Sequence, residues 1–107
     1  MKLRPNPPKL ENVLETARGC IESGKYLATF HAECRQLERD ITLLDALHVI
    51  KHGFREPKHD QYKEEWQSWN YAIRGTTLQD ETVRVVISFD KVLQLLIVTV
   101  INIVRRG

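Results

Sequence analysis

Charge of one sign is almost absent as an excess: 16 Lys and Arg stand against 14 Asp and Glu, a net charge of +2. So small an excess does not by itself mark a nucleic-acid-binding chain, and any basic surface must come from clustering. Cysteine is scarce. Cys20 and Cys34 have no CxxC spacing, which leaves no zinc pattern, and they read as small buried hydrophobes rather than as a disulfide or a reactive thiol. Nothing therefore points to an oxidising compartment. A long hydrophobic run is missing too: the apolar stretch Val92 to Val104 is broken by Gln94 and Asn102 and falls short of the roughly 20 residues of a membrane helix. Met1 to Pro8 is basic and Pro-rich with no apolar stretch behind it; no signal peptide is visible, and a cytoplasmic protein is expected. There is no Gly-rich phosphate loop, no Gly-x-Ser-x-Gly and no familiar Cys-His spacing. Kinase, hydrolase and redox readings that rest on such motifs have no support.

What is present is an ordinary globular composition, 42% hydrophobic and 28% charged over 107 residues, enough for one domain with one core. We expect a single domain over residues 1–107, with 1–8 a flexible arm (Pro5, Pro7 and Pro8) and 9–107 folded. Leu10, Val13, Leu14, Ala17 and Ile21 recur at helical spacing, and Gly24 closes that helix. Tyr26 to Phe30 reads as a strand or extended link. His31 to Arg39 reads as a second helix, with Cys34, Leu37 and Ile41 on one face. Thr42 and Asp45 form a weak capping box ahead of a third helix whose stripe is Leu43, Ala46, Leu47 and Ile50, ended by Gly53. Residues 54–65 are polar and predict a mobile loop. Trp69, Tyr71 and Ile73, and then Val83, Val85, Ile87 and Phe89, alternate as strands do. Asp90 and Lys91 give a tight turn, and Leu93 to Ile103 predicts a central strand buried on both faces. Helices first and a meander after them predict an α+β fold, with N-terminal helices packed on a small antiparallel sheet.

The sharpest constellation is His31, Arg35 and Arg39. A spacing of four puts these side chains one above another on a helix face, where they repel unless an anion covers them. His31 falls at the helix start, where free N–H groups favour a phosphate. The plainer alternative is a solvated charged face, with Glu38 neutralising either arginine.

The stretch from His31 to Ile41 resembles the signature of a widespread family of short, uncharacterised prokaryotic domains: His31-Ala32, Arg35 and a second Arg, Arg39, followed by Ile41 and a helix ending at Gly53. The wider layout, over roughly 24–103, is similar to RelE-like, BrnT-like and motility-quorum-sensing-regulator-type toxins. The resemblance implies a RelE-like toxin fold, mRNA interferase activity and a cognate antitoxin. It carries over His31, Arg35 and Arg39, with Tyr71 and Thr99 as weaker matches. The lysines that RelE-like toxins use on the sheet have no counterpart, since Lys91 lies in a turn and Arg105 and Arg106 end the chain.

The chemistry expected of these residues is RNA cleavage without metal. A base takes the 2′-hydroxyl proton, an acid protonates the leaving 5′-oxygen, and cations stabilise the phosphate. Histidine titrates near neutrality, and arginine grips phosphate with two N–H groups. We therefore assign His31 as acid or base and Arg35 and Arg39 as phosphate clamps. Arg74, Tyr71, Thr99 and Trp66 are substrate-contact candidates. Tyr71 has an alternative as a core residue beside Trp69 and Ile73, and Trp66 as simple packing. His48 and His52 lie four apart, but HExxH is absent and Lys51 opposes a cation, so no metal and no cofactor are expected. Two other readings compete: a non-enzymatic protein-interaction module of the same fold, and a ParE-like toxin that targets gyrase. RNA and an antitoxin are the expected partners, with no membrane; the sequence leaves the oligomeric state open.

Overall fold

Thr42 opens the best-defined helix because its side chain and that of Asp45 cap each other's backbone. In the computed structural model, which describes residues 6–29 and 41–103, the Thr42 hydroxyl accepts from Asp45 N–H at 3.2 Å and Asp45 accepts from Thr42 N–H at 3.1 Å. This helix, α2, spans Leu43–His52. The helix before it, α1, spans Val13–Glu22 and ends at Gly24, whose φ of 75° suits a residue without Cβ. The helix expected over His31 to Arg39 lies outside the described residues. Leu10 precedes α1 rather than opening it, and the buried stripe of α1 is Val13, Ala17 and Cys20. Cys20 donates its thiol to the Leu93 carbonyl at 3.1 Å, a buried small side chain. Among the described residues no helix is long and apolar enough to cross a membrane.

Six strands follow or separate these helices: β1 Tyr26–Ala28, β2 Phe54–Arg55, β3 Gln61–Lys63, β4 Ser68–Thr76, β5 Thr82–Phe89 and β6 Leu95–Asn102. The order across the sheet is β1-β6-β5-β4-β2, with β3 also paired to β4. The fold is α+β, but the sheet is mixed. β1 runs parallel to β6, Tyr26 opposite Leu95 and Ala28 opposite Ile97, whereas the expectation was an antiparallel sheet. A hydrophobic alternation marks a strand and a face but not the neighbour across the ladder, and that is where the expectation failed.

Both described helices cover one face. Val49 and Ile50 of α2 and Val13 and Ala17 of α1 pack over Ile73, Val85, Ile87 and Ile97, all essentially buried. Burying an aliphatic side chain is worth roughly 1.5–3 kcal/mol, so this layer supplies most of the cohesion. Arg18 fastens the two helices. Its guanidinium donates to the Ile50 and Gly53 carbonyls at 2.9 and 3.1 Å, two acceptors that the end of α2 would otherwise leave open. β6 is covered more fully on one face than on the other: Leu95, Ile97 and Val100 are buried, Leu96, Val98 and Thr99 are half-buried, and Ile101 is exposed. The two-sided burial expected of that run is therefore only partial, and the strand begins at Leu95 because Leu93 turns with a φ of 60°.

Residues 54–65 are ordered where a mobile loop was expected. They form β2, a 3-10 turn at Pro57–His59 and β3. Along the edge of β4, β2 pairs with Ile73 and Arg74, and β3 pairs with Ser68, Trp69 and Asn70. Between them the Ala72 N–H finds a carboxylate instead of a strand: it donates to Asp60 Oδ1 at 2.9 Å. Asp60, whose side chain is 0% exposed, also takes two N–H groups of Arg55 at 2.9 and 2.6 Å and the Lys9 ammonium at 2.9 Å. Its burial pushes the carboxyl pKa up, but the hydrogen bonds from Arg55, Ala72 N–H and Lys9 outweigh that and hold it below the ordinary value. The same edge fixes part of the segment read as a loose arm. The Trp69 indole N–H donates to the Pro7 carbonyl at 2.8 Å, and the Leu10 N–H donates to the Tyr71 hydroxyl at 2.9 Å.

Candidate functional site

The sheet face away from the helices carries three cross-strand rows, set by the β4–β5–β6 registers. Arg74, Arg84 and Ile101 form the first; Ala72, Val86 and Thr99 form the second; Ser88 and Leu96 belong to the third. Arg74 and Arg84 stand directly opposite each other, which would repel. Glu56, just past β2, offsets this by accepting from Arg84 Nε at 2.7 Å and Arg74 Nη1 at 3.4 Å. The Arg84 hydrogen bond is the main reason that the Glu56 carboxyl lies below its usual pKa, with Arg74 and the nearby His59 adding to it against the opposing effect of burial. Two arginines sharing one carboxylate leave this end of the face cationic.

At the other end the face hollows into a cleft of about 830 Å³. Its base is Ser88 of β5 with Leu96 and Val98 of β6, and Thr29 borders it where the chain leaves β1. One rim is the β3–β4 turn with Trp66 and Gln67; the other is the β5–β6 turn with Asp90 and Lys91. The β5–β6 ladder slips by a residue at Val86/Ile87, and such an irregularity bends a strand and hollows a sheet. The base is mostly apolar and the rims polar, a division common to small-ligand sites.

The turns are held by their own backbone. Trp66 N–H donates to the Lys63 carbonyl and Gln67 N–H to the Glu64 carbonyl, at 3.1 and 3.2 Å. Asp90 Oδ1 accepts from the N–H groups of Val92 and Gln94 at 3.0 and 2.8 Å. Ser88 donates its hydroxyl to the Trp69 carbonyl at 2.9 Å. Within the described residues the Asn70 carboxamide and the Lys91 ammonium make no side-chain hydrogen bond or ion pair.

The structure separates the residues singled out in the sequence. Trp66 lines the cleft and is 73% exposed. Thr99 lies on the same face in the middle row, its Oγ1 buried without a partner, and Arg74 lies in the cationic row. Tyr71 is on the helix-covered face, 5% exposed, its ring beneath the Arg55 guanidinium at 5.3 Å. That side chain packs the core and holds Leu10. His31, Arg35 and Arg39 lie outside the described residues. His48 and His52 have ring centroids 4.6 Å apart, and no group of three possible metal ligands occurs among the described residues.

A family described as a domain of unknown function, DUF4258, matches residues 28–102. The chain belongs to that family. The match runs from the end of β1 to the end of β6 and so takes in both rims and the base of the cleft. No curated protein and no solved structure matches this DUF4258 domain.

Sequence reasoning missed Arg84, Glu56, Asn70 and Lys91. A signal existed for the first and third: each stands at an outward position of an alternating strand, as does Arg74. Glu56 and Lys91 lie in connections, and nothing in the sequence says which face a connection will border.

Proposed function

We propose that this DUF4258 domain is an RNA-cleaving protein of the toxin class, acting on the 2′-hydroxyl without a metal and restrained by a cognate antitoxin. The observation that carries the reading is the relation of the cleft to the chain. Thr29 borders the cleft, and His31 follows two residues later in the sequence, with Arg35 and Arg39 after it. The constellation with acid–base chemistry thus follows in sequence directly on a residue that borders the cleft.

In this reading RNA crosses the open face. Arg74 and Arg84 attract its phosphates, since guanidinium binds phosphate through paired N–H groups. His31 takes the 2′-hydroxyl proton or delivers one to the leaving 5′-oxygen. The 2′-oxygen forms its bond to phosphorus as the bond to the 5′-oxygen breaks, leaving a 2′,3′-cyclic phosphate and a 5′-hydroxyl. Arg35 and Arg39 stabilise the charge that builds on the phosphate oxygens. The test is labelled RNA incubated with the protein in EDTA, beside His31→Ala. Cleavage to a 2′,3′-cyclic end that disappears in the variant is the expected result. Full activity in His31→Ala would remove that residue from the reaction. Intact RNA with the unaltered protein, ribosomes present or absent, would refute the reading and leave a protein-interaction module.

A further inference from the structure

The two tryptophans of this chain are treated differently by the fold. Trp69 is packed: Tyr62 meets its ring edge-on at 5.6 Å, Lys9 lies 4.8 Å over its face, and its N–H is bound to Pro7. Trp66, three residues earlier, is 73% exposed, although a large aromatic ring gains stability by burial. The turn that presents it is tightly defined, and the next residue, Gln67, is held at a φ of 51°, a conformation unfavourable for a side chain with a Cβ. Among the described residues no ring or cation stacks on the flat face of this indole at the rim of an apolar-based cleft. Beside it stand two carboxamides, Gln67 and Asn70, each offering a donor and an acceptor side by side. Asn70 is half-buried on the cleft wall, and its carboxamide makes no side-chain hydrogen bond within the described residues, so it can pair with a group that enters the cleft. Ser88 adds an acceptor, its proton being committed to Trp69 O. Lys91 brings a positive charge to the opposite rim.

From this we infer that the cleft is a subsite for one unpaired nucleobase of single-stranded RNA, stacked on Trp66 and read by the carboxamides of Asn70 and Gln67. The inference rests on the RNA reading above and locates a part of the substrate within it. The adjacent donor and acceptor of a nucleobase edge match a carboxamide. The apolar base formed by Leu96 and Val98 accepts the rest of the ring. Lys91 meets the phosphate that accompanies the base. A base inside a duplex has both faces stacked and its edge paired, so the site selects single strands.

The test uses a twelve-nucleotide single-stranded RNA with 2′-O-methyl riboses, which cannot be cleaved by 2′-hydroxyl attack, carrying 2-aminopurine at one position in turn. Binding is followed by anisotropy and stacking by quenching of the 2-aminopurine. We expect one position to quench on binding. Trp66→Ala should weaken binding roughly tenfold or more and abolish that quench, with Trp66→Phe retaining most of both. Asn70→Ala should weaken binding while the quench persists. Thermal melts of Trp66→Ala should match the parent, because the exposed ring supports nothing. If RNA binds but Trp66→Ala leaves affinity and quench unchanged, the subsite is overturned while the RNA reading stands. Equal affinity for the same sequence as a duplex overturns it as well. No binding of any RNA overturns both.

Discussion

Asp60→Asn tests how the β4 edge is built. The substitution keeps the shape of the side chain and removes its charge at a point where the carboxylate is 0% exposed and holds Arg55, Ala72 N–H and Lys9 together. Removing one partner of a buried, hydrogen-bonded pair typically costs 3–5 kcal/mol, since the other charge is left uncompensated. Two features put this case at the lower end. Arg55 keeps its 2.8 Å hydrogen bond to the Ala72 carbonyl, and its side chain is 21% exposed, so water can reach it. Lys9, at 36% exposure, adds little. The expected loss is about 3 kcal/mol, or a fall in Tm of about 12 °C for a chain of this length, measured by urea and thermal unfolding at pH 7. The pH dependence has a fixed sign. The folded carboxyl pKa lies below the ordinary 3.8, so the stabilisation is complete above that value and is lost as the pH falls through the lower folded one. The variant and the parent should converge in stability at strongly acid pH. A loss under about 1 kcal/mol at pH 7, or a difference that persists unchanged into acid, would refute the claim that Asp60 organises residues 54–65.

Two further outcomes follow from the packing. Gly53→Ala drives a Cβ into the Arg74 carbonyl oxygen and to 2.6 Å from that of Val49; both are backbone, so α2 and β4 must separate, and urea unfolding should show a loss of about 3 kcal/mol, the upper part of the range for overpacking. Thr42→Ala removes the capping hydroxyl of α2 and should lower stability by about 1 kcal/mol in the same assay, with a Ser variant keeping most of it.

Much of the scaffold is written in local pattern. Thr42, Asp45 and Gly53 delimit α2 because caps act within one turn of the chain, and the alternations about Ile73 and Val85 mark β4 and β5 because every second residue meets the same core. What stayed illegible depends on distant partners. Asp60 looks like one more charge in a polar stretch; its meaning comes from Ala72, twelve residues on, and from Lys9. Tyr71 and Asn70 are adjacent, and only the alternation separates a core residue from a cleft residue. For the candidate site, Trp66 was visible as an aromatic at a turn, and Arg74 as an outward charge. The cleft itself was not, since it is made by two turns and a slipped ladder that come together only when β4, β5 and β6 are in register.

The parallel pairing of β1 with β6 has a consequence for how the chain is made. Thr29 and Val98, bonded at 3.1 Å, are 69 residues apart, so β1 leaves the ribosome long before β6, its strand neighbour among the described residues, has been synthesised. Strands β4 to β6 pair with near neighbours in sequence and can assemble as each hairpin emerges, whereas contacts between distant segments form slowly. β1 must therefore wait in the nascent chain until translation of β6 gives it a strand to pair with, while α1 can already dock on α2, to which Arg18 ties it. During that interval β4 and β5 stand without the strand that pairs with β1 and supplies Leu96 and Val98 to the base of the cleft, the stage at which a folding helper or a co-translated partner has the most to hold.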